Sequence, residues 1–250
     1  MTTVPRSEWP DDALEKLAVA SRILEMEGHG DMTLGHLSLR DPMGRGFWLK
    51  RNAFGLGEIL GPADFVLLGF DGVQIAGEGG RHSEWPIHSE ILRARPDVTV
   101  VAHTHPFHTC LFSASDDPLL PYTLDADYFA ELPKHAGTAA LVNTVELGAD
   151  LARALGPTAH AVLMANHGAT FCGTSVEHAA IVGVFLERAC RAHMAGKAAG
   201  LRCSFPDPSE RTLRHRQIMQ PVHVSHSWNY FTRKLADRSR DGEPRALYAS

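Results

Sequence analysis

The stretch Val98-Thr99-Val100-Val101-Ala102-His103-Thr104-His105-Pro106 joins a β-branched apolar run to two histidines and a proline. A run this short, branched and apolar reads as a buried strand. Successive side chains of a strand point to opposite faces, so His103 and His105 share one face. Pro106 lacks an N–H and ends the strand beneath them. Two imidazoles at that spacing can bind one ion. A second apolar run, Ala161-Val-Leu-Met-Ala165, leads into Asn166-His167-Gly168 and sets a third histidine in the equivalent place, with Gly168 allowing a tight exit. Three neutral histidines bind a divalent transition metal well, and a carboxylate can complete or yield the fourth position.

Helix and turn signals surround these two runs. Leu14, Leu17, Ala18, Ser21 and Leu24 follow helical spacing across residues 11–27, with Gly28 just past the end. Short β-like pieces follow at 35–40, 46–51, 65–70 and 73–76, and Asp71-Gly72 between the last two is a hairpin turn. A helix is expected over 85–95, with Pro86 tolerated in its first turn. A short helix follows Pro106, and a further one over 144–155 closes at Gly156-Pro157. Thr138-Ala-Ala-Leu-Val142 fits no single period. The long helix from Ser175 to about Ala195 opens on a serine cap with Glu177 in its first turn. Residues 204–224, with three prolines, read as a connecting tail before a last amphipathic helix over 227–237. Strands in the middle and helices around them predict one sheet covered by helices, an α/β domain over residues 1–200. Residues 201–250 read as a C-terminal extension with one helix, packed on the main domain or on a neighbour.

At 250 residues the chain can bury a sizeable core without disulfides or a structural metal. Lys and Arg total 24 against 29 Asp and Glu, a net charge of -5, so no basic surplus points to nucleic acid. Cys110, Cys172, Cys190 and Cys203 form no C-x-x-C pair and no disulfide framework. No apolar run approaches the ~18 residues of a membrane span, and the first ten residues lack an apolar leader. A cytoplasmic protein without membrane attachment is expected. The fifteen histidines are the compositional oddity, and they put a metal site first.

Upstream of the histidine strand lies Gly79-Gly-Arg81-His82-Ser83-Glu84-Trp-Pro-Ile-His88. Glycines before a helix start expose N–H groups that favour anions. Glu84 at that entry could serve as a helix-start acid, or could alternate between binding metal and acting as a base. The order Glu84, His-x-His, then Asn166-His167-Gly168 resembles the class II aldolase/adducin family, from about Ala13 to about Ala195. Gly35-His-Leu-Ser-Leu-Arg-Asp-Pro42, Phe54-Gly-Leu near Ala63-Asp64, Tyr122-Thr-Leu-Asp-Ala126 and Phe185-Leu-Glu-Arg-Ala-Cys190 extend the resemblance. It implies a three-layer α/β/α domain around a mainly antiparallel sheet, with active sites between subunits of a homotetramer. It implies His103, His105 and His167 as ligands of one divalent ion per subunit (Zn, Mn, Fe or Co). Glu84 would be the fourth ligand and the acid/base.

The departures from the family pattern narrow the substrate. Sugar-phosphate members carry Gly-Asn where this chain has Gly35-His36, and paired Ser or Thr where it has His82-Ser83. Losing that small-residue cradle while gaining Arg81 and His82 points to another anion, a carboxylate, which arginine can hold by two parallel bonds. His36 resembles the adducin-like branch. Tyr122 sits where family members supply residues near a neighbouring active site. His88, one turn after Glu84, could line the site or orient Glu84. The expected activity is a metal-dependent carbon–carbon lyase, by retro-aldol cleavage or decarboxylation. It would stabilise an enolate or enediolate on a small, non-phosphorylated hydroxy-carbonyl or hydroxy-carboxylate. The alternatives are a non-catalytic, adducin-head-like interaction protein and a sugar-phosphate epimerase. Retention of Glu84 and all three histidines argues against the first, and the missing phosphate cradle against the second.

Overall fold

A computed structural model describes residues 4–240 of the chain. Eight strands form one sheet: β1 (His36–Arg40), β2 (Phe47–Lys50), β3 (Phe65–Leu68), β4 (Gln74–Ala76), β5 (Val100–Thr104), β6 (Lys134–His135), β7 (Ala161–Met164) and β8 (Gly168–Gly173). Their order is β4-β3-β2-β1-β5-β8-β7-β6, and every pairing is antiparallel except β6 with β7. The histidine strand β5 therefore lies inside the sheet, between β1 and β8.

The alternation of side chains builds two cores. Leu37, Leu39, Trp48, Val100, Ala102, Ala169 and Phe171 face α1 (Asp11–Leu24) and the long α5 (Val176–Ala198). Phe47, Leu49, Val66, Val101, Val162 and Cys172 face the other way, onto α2 (Trp85–Ala94) and α4 (Val145–Leu155). A buried strand needs an apolar residue at both parities, which is why these runs read as continuous rather than alternating. The result is the three-layer α/β/α architecture expected. A short α3 (Phe107–Ser113) follows Pro106 and is tied to α5 by Glu187, whose carboxylate accepts from the backbone N–H groups of His108 and Thr109 at 3.1 and 2.9 Å.

Two segments differ from the sequence expectation. Residues 168–173 carry three small residues and two glycines, and so give no strand signal of their own. They nonetheless form β8, because Gly168, Ala169 and Gly173 let it lie between β5 and β7 in full register. The stretch 204–224 is not a connecting tail, and the extension holds two helices rather than one: α6 (Pro208–Ile218) and α7 (Pro221–Arg240). Two of the prolines that suggested a break stand in the first turn of each helix, where a missing N–H costs nothing. Buried Asp127 receives Arg211 and Arg214 of α6 at 3.3 and 2.7 Å, and Phe231 of α7 enters the α1/α5 core. The last ten residues of the extension, 241–250, lie outside the described residues.

The fold also buries His29 completely, with its Nδ1 hydrogen-bonded to Thr104 Oγ1 at 2.9 Å. Burial pushes its pKa down to about 4. An unfolded histidine titrates near 6.5, so the stability from keeping His29 neutral is whole above that pH and is lost as pH falls toward 4. Its share is about 1.4 kcal/mol per pH unit in that window. Urea unfolding at pH 7 and pH 5 should show the His29→Asn variant losing less stability on acidification by that slope. Parallel losses would remove His29 from the account.

Candidate metal centre

The sheet register brings the polar residues together before any side-chain chemistry is considered. His36 of β1 stands directly opposite His103 of β5, and Thr104 stands opposite Ala169 of β8. His36 and Ser38 alternate with the core residues Leu37 and Leu39, so both point to the α2 side, as does His103. His167 lies in the tight β7–β8 turn. There Asn166 takes the left-handed conformation at φ 58°, which asparagine tolerates better than most residues. Gly168 serves a different purpose from the turn freedom expected of it: a Cβ there would stand 2.7 Å from His105 Cδ2 and from Thr104 O.

Three imidazoles converge at this end of the sheet. The rings of His103 and His167 are 5.0 Å apart and those of His105 and His167 5.2 Å. His103 Nε2 and His105 Nε2 are 3.0 Å apart. A neutral ring carries one N–H, and both rings spend it on Nδ1. His103 donates to the Ala169 carbonyl at 3.0 Å and His105 to the Asp31 carboxylate at 2.9 Å. Two bare Nε2 lone pairs then face each other, an arrangement that repels unless a cation stands between them. Burial first, and then His105 and His167, hold His103 well below its ordinary pKa, so that its own Nε2 is left as a lone pair for a cation in that place. A divalent ion fits it. Nδ1 donation to carbonyl or carboxylate is also how metal-ligating histidines are usually oriented.

Glu84 approaches from α2. It occupies the helix N-cap position, yet its side chain makes no capping bond. Its Oε1 accepts from the Val142 N–H at 2.8 Å. Its Oε2 faces His103 Nε2 at 3.7 Å and His36 Nε2 at 4.0 Å. Desolvation raises its pKa, against the lowering effect of the Val142 bond. Among the described residues two donor groups could hold an ion: His103 with His105 and His167, and His36 with Glu84 and His103, each with its ligand atoms within 4.8 Å of one another. A cleft of about 580 Å³ opens onto the first group. Leu34, Phe107 and Leu141 line it with Asp31 and Asn166, and no lysine or arginine among the described residues does. Another cleft of about 620 Å³, between α1, the start of α5 and α7, contains none of these groups.

The class II aldolase and adducin N-terminal domain family matches residues 15–194. The chain belongs to this family. Among its relatives, the meiotically up-regulated gene 14 protein of Schizosaccharomyces pombe is 30% identical over 184 residues, covering 71% of this chain and 70% of that protein. The 3,4-dihydroxyphthalate decarboxylase of Arthrobacter keyseri is 31% identical over 189 residues, covering 70% and 75%. Among solved structures, an aldolase II superfamily protein from Pseudomonas syringae superposes with a TM-score of 0.82 at 27% identity, covering 96% of each chain.

Within this class II aldolase domain the residues singled out from sequence separate into two sets. Glu84, His103, His105, His167, His36 and His82 come together, with the His82 ring 4.5 Å from that of His36 and its pKa pushed down to about 3 by burial. Arg81, Ser83 and Tyr122 do not join them. Arg81, expected to grip a carboxylate, instead donates to the Gly72 carbonyl in the β3–β4 turn, with its guanidinium 5.0 Å from the Trp85 ring. Ser83 is exposed. Tyr122 packs between His193 and Phe205, against Gly196 near the end of α5. Sequence reasoning missed Asp31, the Val142 N–H and the Ala169 carbonyl. The only available signal was an acid closing the glycine-flanked turn Gly28-His-Gly-Asp31, since backbone groups carry no signature.

Proposed function

We propose that this chain is a divalent-metal-dependent carbon–carbon lyase acting on a small, non-phosphorylated hydroxy-carboxylate or hydroxy-carbonyl compound. The observation that carries the reading is the convergence of His103, His105 and His167, with Nε2 of His103 and His105 3.0 Å apart and their Nδ1 atoms turned to the Ala169 carbonyl and the Asp31 carboxylate. His103, His105 and His167 hold the ion, with Glu84 close enough to join or leave them. A divalent ion held by these residues would supply a Lewis acid for adjacent substrate oxygens and would stabilise the negative charge that a carbon–carbon cleavage leaves. Glu84 manages the proton. In a decarboxylation the bonding pair stays on the substrate carbon, carbon dioxide leaves, and a proton returns to that carbon from the Glu84 carboxyl. A raised pKa suits that exchange, because the group then gives up its proton nearer neutral pH.

The cleft favours an apolar-bodied substrate. Phe107 is 68% exposed at its mouth, Leu34 and Leu141 stand beside it, and no cationic side chain lines it to hold a phosphate. A hydroxy-aromatic carboxylate meets those conditions, and similarity to a 3,4-dihydroxyphthalate decarboxylase supports it. The same reading carries the family's homotetramer, with cleft mouths at subunit boundaries. It also carries a reducing cytoplasmic setting that suits the free thiols of Cys110, Cys172, Cys190 and Cys203. No helix among the described residues is long and apolar enough to cross a membrane.

Chelator-stripped protein, reloaded in turn with Zn, Mn, Fe or Co, should be offered a panel of hydroxy-carbonyl compounds and hydroxy-aromatic carboxylates and followed by mass spectrometry. The expected result is loss of 44 mass units, or scission into two carbonyl fragments, only with metal restored (carbon dioxide being the ~44-unit leaving group of a decarboxylation). Turnover that survives complete chelation would sink the reading.

A further inference from the structure

His36 is buried beside Glu84, at 1% exposure, and its tautomer can be read from the groups behind it. The Ser38 hydroxyl donates to the Val101 carbonyl at 3.5 Å, so Ser38 Oγ is left to accept from His88 Nδ1 at 2.7 Å. With its proton on Nδ1, His88 presents Nε2 as an acceptor, and His36 Nδ1 donates to it at 2.7 Å. In this direction the chain of bonds runs from His36 through His88 to Ser38. It leaves His36 Nε2 as a bare lone pair. That lone pair faces the Glu84 carboxylate at 4.0 Å, and the Glu84 oxygen also faces the bare Nε2 of His103 at 3.7 Å.

His36 Nε2, His103 Nε2 and a Glu84 carboxylate oxygen thus converge among buried side chains. His88 behind His36 takes the place that a carboxylate or carbonyl usually holds behind a metal-ligating imidazole, as an acceptor for its other ring N–H. The strand register supplies the alignment, since His36 and His103 are direct cross-strand partners. We propose that His36 is a metal ligand, forming with Glu84 and His103 an inner position for the ion, alternative to the outer one at His103, His105 and His167. Because His103 belongs to both groups and has a single free nitrogen, the two positions share one ion. The inner position rests on the proposed metal dependence, but it can fail separately from it.

Cobalt(II) is the probe, with stoichiometry read by elemental analysis, coordination by visible absorption, and folding checked by circular dichroism. Wild-type protein is expected to bind one Co(II) per chain. The His105→Ala/His167→Ala double variant, which dismantles the outer group, is expected to keep one Co(II) with an altered ligand-field spectrum. Adding His36→Asn should then abolish it, and adding Ser38→Ala instead should weaken it by about 10–100-fold, the usual effect of losing an outer support. A folded double variant that binds no Co(II), while wild type binds one, overturns the inner position and leaves the metal-dependent reading intact. Wild-type protein that binds none overturns both. Should the double variant not fold, His36→Asn alone decides: an unchanged Co(II) affinity and spectrum overturn the proposal, and an affinity at least about tenfold weaker supports it.

Discussion

Glu84→Gln is expected to lower turnover by about 10²–10⁴-fold while metal content stays near that of wild type, since a positioned acid or base contributes on that order. The substitution is chosen from the geometry. Glutamine keeps the carbonyl oxygen that accepts from the Val142 N–H, now made by Glu84 Oε1 at 2.8 Å, so the side chain stays where it is. It removes the charge and the exchangeable proton, which are the features the mechanism uses. The outer donor group does not include Glu84, so three histidines remain to hold the ion. Because the change acts on the chemical step, kcat should carry the loss and KM should move little. Burying an amide in place of a carboxyl whose pKa is already raised by desolvation should not destabilise the fold. Steady-state kinetics with parallel elemental analysis reads both quantities. Turnover within a few-fold of wild type would reduce Glu84 to a structural acid at a helix start.

Much of this centre was legible in the sequence because strand periodicity is a strict rule. Once Val98–Ala102 is a buried strand, His103 and His105 must share a face, and the structure confines Nε2 of each to the same small space. His167 was legible for the same reason, at the end of a second apolar run. The central strand β8 was not, since its residues are selected for small size against β5 and β7 rather than for strand character. Pro208 and Pro221 misled for a local reason, as a proline in a first helical turn and a proline in a loop have the same neighbours in sequence. Arg81 misled because proximity along the chain to Glu84 is not proximity in space. Its guanidinium donates to the Gly72 carbonyl instead. The groups that fix tautomers were illegible in principle. The Ala169 carbonyl and the Val142 N–H belong to every residue alike, and only the register shows which of them meets a functional side chain.

That register makes His103 the residue on which the largest loss is expected. It is the only side chain common to both donor groups, it is fully buried, and its one free nitrogen faces His105, His36 and Glu84 alike. His103→Ala should therefore leave less than about a tenth of the wild-type metal and no measurable turnover, because each of the two donor groups then falls to two members. His167→Ala, by contrast, leaves the inner group whole and should lose activity while retaining more metal. The His103 variant also takes away the donor to the Ala169 carbonyl and opens a cavity between β1 and β8, at a cost of about 1–3 kcal/mol for the unmet polar group. A domain stability of about 5–15 kcal/mol absorbs that, so the chain should still fold and its emptied centre can be assayed. Elemental analysis of the folded, monodisperse fraction decides the matter. Full metal occupancy in His103→Ala would mean that the ion is held elsewhere, and with it the chemistry assigned to this end of the sheet.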